Sequence, residues 1–120
     1  MADERDVGAG REQEALQSAI EDWRRRIDVI DEQLTKLLNS RSACAVEIGR
    51  LKRQIGMAVY QPDREQWILE RVERHNPGPL DSGAVRRVFE RVIDEGRRLE
   101  RLAGEVGGDE EDTSSHPGHD

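Results

Sequence analysis

The sequence predicts an all-α protein with three helices per chain, one of them very long. Apolar residues recur with alternating steps of three and four from Leu16 to Ile55, the period of a helix that packs along another helix. No segment shows the alternation of a β-strand, and prolines and glycines divide the remaining chain into two further helical stretches. Hydrophobic residues make up 34% of the chain and charged residues 38%, so one chain alone can build only a thin core.

The first predicted helix carries a single charged residue, Arg41, within its apolar line. The line reads Leu16, Ile20, Trp23, Ile27, Ile30, Leu34, Leu37, Arg41, Cys44, Ile48, Leu51 and Ile55. No proline interrupts it, and Gly56 supplies a C-terminal stop. A helix of about 40 residues is about 60 Å long, roughly twice the width of a compact domain of this size. It must therefore protrude or lie along a partner, and crossed or antiparallel pairing with a second copy would cover it.

Two shorter helices follow. Pro62 suits the first turn of the second helix, which is expected to end near His75, before the helix-breaking sequence NPGPL. Asp81 or Ser82 can cap the third helix, and Gly104 is expected to end it.

Composition defines the predicted domain limits and the compartment. We expect a disordered lead over 1–12, a helical domain over 13–103 and a disordered acidic tail over 104–120. The formal net charge of −7 argues against a nucleic-acid partner. The N-terminus lacks the apolar centre of a signal peptide, and no apolar run approaches the roughly 20 residues of a membrane span, so a cytoplasmic location is expected.

Residue types associated with cofactor chemistry are sparse. The single cysteine, Cys44, excludes an intrachain disulfide, and its place on the apolar line predicts a reduced, packed thiol. The three histidines, His75, His116 and His119, are placed at a helix end and in the tail. There is no metal-ligand cluster and no glycine-rich phosphate loop, so neither a metal nor another cofactor is expected.

Charged residues on apolar faces are the strongest functional signal. Arg41 interrupts the first stripe, and Gly96 and Glu100 continue the apolar face of the third helix, so Arg41 and Glu100 both point inward. One interpretation is structural: Arg41 pairs with Glu100 or Glu47 and fixes the register of the helices. The other is that Arg41 binds an external anion.

Arg24 and Lys52 share one heptad position on the first helix. They are 28 residues apart, which corresponds to about 42 Å along a single helix, so one chain cannot bring them into one site. In a dimer, Arg24 of one copy could approach Lys52 of the other. Arg24 also lies within the run RRR, for which an exposed surface is the ordinary explanation.

Together these residues resemble the pattern of the small all-helical chorismate mutases. The similarity lies in RRRIDVIDEQLTKLLNSRSACAVEIGRLK, VYQPDRE and VFERVIDEGRRLE, and extends from about residue 16 to residue 102. Arg41 follows Arg24 by seventeen positions, Lys52 comes eleven later, and the pair Arg64–Glu65 begins twelve beyond that. These spacings match the family pattern without a gap.

The resemblance implies an intertwined homodimer with two equivalent sites. The implied reaction is the [3,3] Claisen-type rearrangement of chorismate to prephenate, on the route to phenylalanine and tyrosine, without cofactor, metal or nucleophile. It also implies a dicarboxylate substrate as the small-molecule partner and leaves room for a complex with another enzyme of the shikimate pathway.

The resemblance further implies a role for each matched residue. Arg41 and Arg24 of the partner subunit would bind the substrate carboxylates. Lys52 would donate to the ether oxygen and also contact a carboxylate. Glu65 would accept a hydrogen bond from the ring C4 hydroxyl, and Arg64 would support that corner of the site.

Three positions depart from the family pattern. Gln61 stands where an aspartate is usual, Gly96 where a serine often helps to hold a carboxylate, and Glu100 where glutamine commonly donates to the ether oxygen. Because these changes surround the ring substituent and the ether oxygen, other substrates stay open. The alternatives are a 4-amino-4-deoxychorismate mutase, an isochorismate-pyruvate lyase, and a non-catalytic helical dimer or regulatory subunit.

Overall fold

The chain consists of three α-helices in a computed structural model that describes residues 4–114, with side chains described for residues 8–105. They are α1 (Glu4–Ile55), α2 (Pro62–Arg74) and α3 (Ser82–Ser114). No strand occurs among residues 4–114, so the predicted all-α class with three helices and one very long member is confirmed. None of the helices within the described range has the length and apolar character needed to cross a membrane.

The end of α1 and the starts of α2 and α3 lie where the sequence predicts them. α1 ends at Ile55, and Gly56 adopts the left-handed φ of 69° that permits the Met57 N–H to donate to the Lys52 carbonyl at 2.9 Å. Pro62 is the first residue of α2. Asp81 caps α3, because its Oδ1 accepts from the Ala84 N–H at 2.7 Å.

The start of α1 and the end of α3 both lie closer to the chain termini than the sequence predicts. α1 begins at Glu4, and α3 continues past Gly104 to Ser114, so the predicted stop at Gly104 is wrong. The physical reason is that a helical glycine costs only about 1 kcal/mol relative to alanine, which does not by itself terminate a helix. The predicted limits of the domain, 13–103, stay a prediction.

The chain separates into two units, Met1–Leu37 and Leu38–Asp120. In the first unit, every member of the predicted apolar line is at least half exposed: Leu16, Ile20, Trp23, Ile27, Ile30, Leu34 and Leu37. A continuous apolar face of this kind is typical of an interaction surface.

The second unit contains the end of α1 together with α2 and α3, and its core is small. Its buried apolar side chains are Ala45, Leu69, Val85, Ile93 and Ala103. None of the large side chains in the described range is fully buried. The thin core expected from the composition is therefore present.

Within this second unit, α1 and α3 touch backbone to backbone at Gly49. A Cβ atom on Gly49 would lie 2.4 Å from the Glu100 carbonyl oxygen and 2.7 Å from the Glu100 Cα. No side chain fits at such distances, so the crossing requires glycine. Gly104 continues the contact more loosely, since a Cβ there would lie 3.5 Å from the Gly49 carbonyl oxygen.

We predict that Gly49→Ala lowers the free energy of unfolding by about 1–3 kcal/mol, because the added methyl group forces two backbones apart. Gly104→Ala is the matched control, since its methyl group meets only ordinary van der Waals distances. Chemical denaturation of both variants measures the difference. Equal stability of Gly49→Ala and the control would show that the crossing is not tightly packed.

Candidate active site

A cleft of about 510 Å³ lies within the second unit, and its walls come from all three helices and the connection between α1 and α2. This volume suits a small organic molecule. Apolar side chains form much of the wall: Ile48, Leu51, Ile55, Met57, Val59, Ile68 and Ile93. Six charged side chains also line it: Arg41, Lys52, Arg64, Glu65, Arg97 and Glu100. Four of these are cations and two are carboxylates, so the lining carries a formal charge of +2 although the whole chain carries −7.

The first carboxylate of the cleft, Glu100, forms an ion pair with Lys52. The Lys52 Nζ donates to Glu100 Oε1 at 2.6 Å and to the Val59 carbonyl at 3.0 Å. Both side chains are well shielded, with 11% of Lys52 and 17% of Glu100 exposed. An ammonium group has three N–H donors, so one remains for a molecule in the cleft.

The second carboxylate, Glu65, is held in a fork by Arg97. The Arg97 Nε donates to Glu65 Oε2 at 2.9 Å, and its Nη2 donates to Oε1 at 2.7 Å. This two-point geometry fixes orientation as well as charge. The hydrogen bond to Glu65 is the main cause that raises the pKa of Arg97 above its ordinary value. The Tyr60 ring lies under the guanidinium at 5.2 Å.

Arg41 has no ion-pair partner among the described residues. The predicted pairing of Arg41 with Glu100 or Glu47 is wrong, because Glu100 pairs with Lys52 and Glu47 pairs with Arg50. The Arg41 side chain points toward α3, where its Nη1 lies 3.1 Å from the place a Cβ on Gly96 would occupy. The lack of a side chain at Gly96 therefore leaves room for the Arg41 guanidinium within the cleft.

Arg64 is likewise not engaged by any carboxylate in the described part of the chain. Its guanidinium lies over the Trp67 ring at 4.7 Å, and Arg71 contacts the same ring at 5.1 Å. A cation on an aromatic face keeps its full charge. Arg41 and Arg64 are therefore the cations responsible for the excess positive charge of the cleft.

The cleft brings together seven of the eight residues that the sequence nominates for a site. They are Arg41, Lys52, Gln61, Arg64, Glu65, Gly96 and Glu100. Gln61 stands at the N-cap of α2 and makes no side-chain capping bond. The eighth, Arg24, lies in the first unit, where it is exposed and pairs with Glu21 at 2.6 Å.

The sequence reasoning missed Arg97. Its signal was present, since Arg97 lies four positions after the buried Ile93 and so faces the same side of α3. An arginine on that face, close to a helix start that carries Glu65, is the natural partner for the carboxylate.

Cys44 is exposed in the single chain, so the prediction of a packed thiol is wrong for the chain by itself. The reason is that its neighbours on the apolar line, Ile48 and Leu51, also lie at the surface and line the cleft.

His75 contacts the Arg71 carbonyl through Nδ1 at 2.9 Å, whereas His116 and His119 lie outside the described residues. Among the side chains described, no group of three or more His, Cys, Asp and Glu residues could hold a metal ion.

Comparison with known proteins points to one family. The family profile described as Chorismate mutase type II matches residues 23–101, which include every nominated site residue. The bifunctional chorismate mutase/prephenate dehydratase of Pseudomonas aeruginosa is 35% identical over 92 residues, covering 72% of this chain and 25% of that protein. The chain thus spans about a quarter of the length of this bifunctional relative.

Shorter proteins are similar over most of their length. The chorismate mutase of Methanocaldococcus jannaschii is 28% identical over 82 residues, covering 65% of this chain and 80% of that protein. A solved structure of a chorismate mutase from Thermus thermophilus matches with a TM-score of 0.67 and 30% identity, covering 68% of this chain and 93% of that chain. The sequence match over the cleft and the similarity of fold together show that this chain belongs to the chorismate mutase type II family.

Proposed function

We propose that the chain catalyses the rearrangement of chorismate to prephenate in the cleft of the second unit. The observation that carries this proposal is the pair of cations, Arg41 and Arg64, that lack a carboxylate partner in the described structure and leave the cleft with a charge of +2. Chorismate is a dicarboxylate with a charge of −2, so it complements the cleft. Family membership supports the same reaction.

In this mechanism the site works by holding one conformation and one distribution of charge. The substrate must curl into a compact, chair-like shape before its C–O bond breaks and the new C–C bond forms within the same molecule. Fixed cations such as Arg41 that hold the carboxylates select this shape. As the C–O bond breaks, partial negative charge develops on the ether oxygen, and the remaining Lys52 N–H would donate to it.

Glu65 and Arg64 complete the proposed site at the ring substituent. Glu65 would accept a hydrogen bond from the C4 hydroxyl, and Arg64 and Gln61 would border that corner. Gly96 would act through the space that it leaves for Arg41, where a serine would narrow it. Glu100 can donate to the ether oxygen only when it is protonated, because an ionised carboxylate has no donor.

We also propose that the functional unit is an intertwined homodimer with shared sites. The exposed apolar line of the first unit, with Leu37 67% exposed and Leu16 65% exposed, supports pairing with a second copy. Arg24 lies beside this line and, as Arg24 of the partner subunit, would bind a substrate carboxylate.

The name of the relative from Pseudomonas aeruginosa joins chorismate mutase to prephenate dehydratase, which supports the expectation of a complex with another shikimate-pathway enzyme. The cytoplasmic location stays a prediction.

The direct test supplies purified protein with chorismate, isochorismate and 4-amino-4-deoxychorismate in separate reactions and identifies the products. We expect formation of prephenate from chorismate to be the preferred reaction. Release of pyruvate from isochorismate would instead indicate the lyase, and preferred conversion of the amino compound would indicate the specialised mutase. No conversion of any of the three would favour a non-catalytic helical dimer or regulatory subunit.

We predict that Arg41→Ala lowers kcat/KM for chorismate by about a hundredfold or more while the protein stays folded. The reason is that Arg41 makes no ion pair in the described structure, so its removal orphans no carboxylate. Arg50→Ala, an exposed arginine on the same helix, is the control and should keep normal turnover. Two results would contradict a role in substrate binding. One is that Arg41→Ala unfolds the protein, and the other is that the Arg41→Ala protein that stays folded is as active as the wild type.

We predict that mixing Arg24→Ala chains with Lys52→Ala chains restores activity that neither variant has alone. A heterodimer of the two would contain one site with both residues intact, if each site takes Arg24 from the partner subunit. Activity is measured after the mixed chains are unfolded and refolded together. Absence of rescue, with heterodimers demonstrated by mass spectrometry, would exclude the shared site.

We predict that Glu100→Gln converts chorismate faster than the wild type, because Glu100 in its ion pair with Lys52 has no proton to donate to the ether oxygen, whereas an amide has. Glu100→Ala should be about a hundredfold slower than Glu100→Gln, the usual cost of one such hydrogen bond. Measurement of kcat/KM for the three proteins checks this order. Equal rates of Glu100→Gln and Glu100→Ala would exclude a role for position 100 at the ether oxygen.

A further inference from the structure

The carboxylate that the proposed mechanism assigns to the substrate ring, Glu65, already has a cationic partner. Arg97 donates to both of its oxygens, at 2.9 and 2.7 Å, and both side chains are largely shielded, with 26% of Arg97 and 20% of Glu65 exposed. Each carboxylate oxygen has a second lone pair. Glu65 can therefore still accept one further hydrogen bond, although its charge is compensated.

The other charged groups near Glu65 do not make this part of the cleft negative. Arg64 contributes a further cation that is stacked on Trp67. Glu100 is compensated by Lys52. Asp94 approaches the Arg97 Nη2 at 3.4 Å, but it is half exposed, so solvent screens it, and it does not line the cleft.

We propose that Arg97 is a positioning residue that sets substrate specificity: by its fork on Glu65 it makes the site accept a ring hydroxyl and reject a ring ammonium. This inference rests on the proposed function of the cleft. A neutral hydroxyl needs only an acceptor lone pair, which Glu65 retains. An ammonium needs net negative charge to replace its hydration, and at this corner it meets the compensated Glu65 together with two guanidinium groups.

Arg97 is well built for this task because it is held from two sides. Glu65 fixes the direction of the guanidinium plane, and the Tyr60 ring supports the plane from below. A lysine at this position would retain the positive charge but lose the two-point fork. The charge of Arg97 and its geometry can therefore be separated by substitution.

The test compares kcat/KM for chorismate and for 4-amino-4-deoxychorismate in four proteins: the wild type, Arg97→Met, Arg97→Lys and Arg98→Met. Arg97→Met removes the charge and keeps an unbranched side chain, whereas Arg98→Met changes a neighbouring, exposed arginine outside the cleft. We expect the wild type and Arg98→Met to prefer chorismate equally. Arg97→Met should shift the ratio toward the amino compound by at least tenfold, chiefly through KM, and Arg97→Lys should shift it less.

A binding measurement separates failure of this inference from failure of the proposed function. Calorimetry with two stable bicyclic dicarboxylates, one with a ring hydroxyl and one with a ring ammonium, needs no turnover. If the wild type binds both equally, or Arg97→Met lowers both affinities to the same extent, the inference is overturned even where chorismate is converted. If the hydroxyl preference depends on Arg97 but no prephenate forms, only the proposed reaction is overturned.

Discussion

The close contact between the backbones of Gly49 and Glu100 is the constraint on which the candidate site depends. It brings the helical segment that carries Lys52 against the segment that carries Glu100, and their charged groups meet at 2.6 Å. Gly96, one turn before Glu100 on α3, faces Arg41 across the same pair of helices. A wider separation of these two helices would break the ion pair and move the guanidinium away from α3, because both contacts span the same crossing.

Within this frame, the charges of the cleft fall into two kinds. Both carboxylates are compensated by a cation of the same chain, Glu100 by Lys52 and Glu65 by Arg97. Arg41 and Arg64 have no such compensation in the described structure. Arg41 is half-buried, where a cation is costly to leave unpaired, and Arg64 is exposed, so a ligand that supplies negative charge would compensate Arg41 above all. The compensated carboxylates keep lone pairs that can accept further hydrogen bonds from a ligand.

Much of the fold and of the site could be predicted from the sequence, because both depend on local periodicity and on charge at fixed spacing. The spacing of apolar residues by three and four predicts α1, and Gly56 and Pro62 predict the break between α1 and α2. Seven of the nominated residues meet in one cleft. The rest depends on contacts between helices that spacing along one chain does not specify. Arg97 acquires its role only because α3 faces the start of α2 across the cleft. Cys44 is exposed because it lines the open cleft between the helices and is not packed between them.

Affinity for a dianion is the most direct measure of whether the uncompensated cations of the cleft exist to bind substrate carboxylates. The measurement is calorimetric binding of a stable bicyclic dicarboxylate, shaped like the compact transition state, compared with its monomethyl esters at equal ionic strength. We predict that the diacid binds about a hundredfold more tightly than either ester, a difference of about 2.7 kcal/mol. Equal affinity of the diacid and the esters would contradict this prediction, because it would show that the charge of +2 in the cleft does not contribute to binding of the second carboxylate.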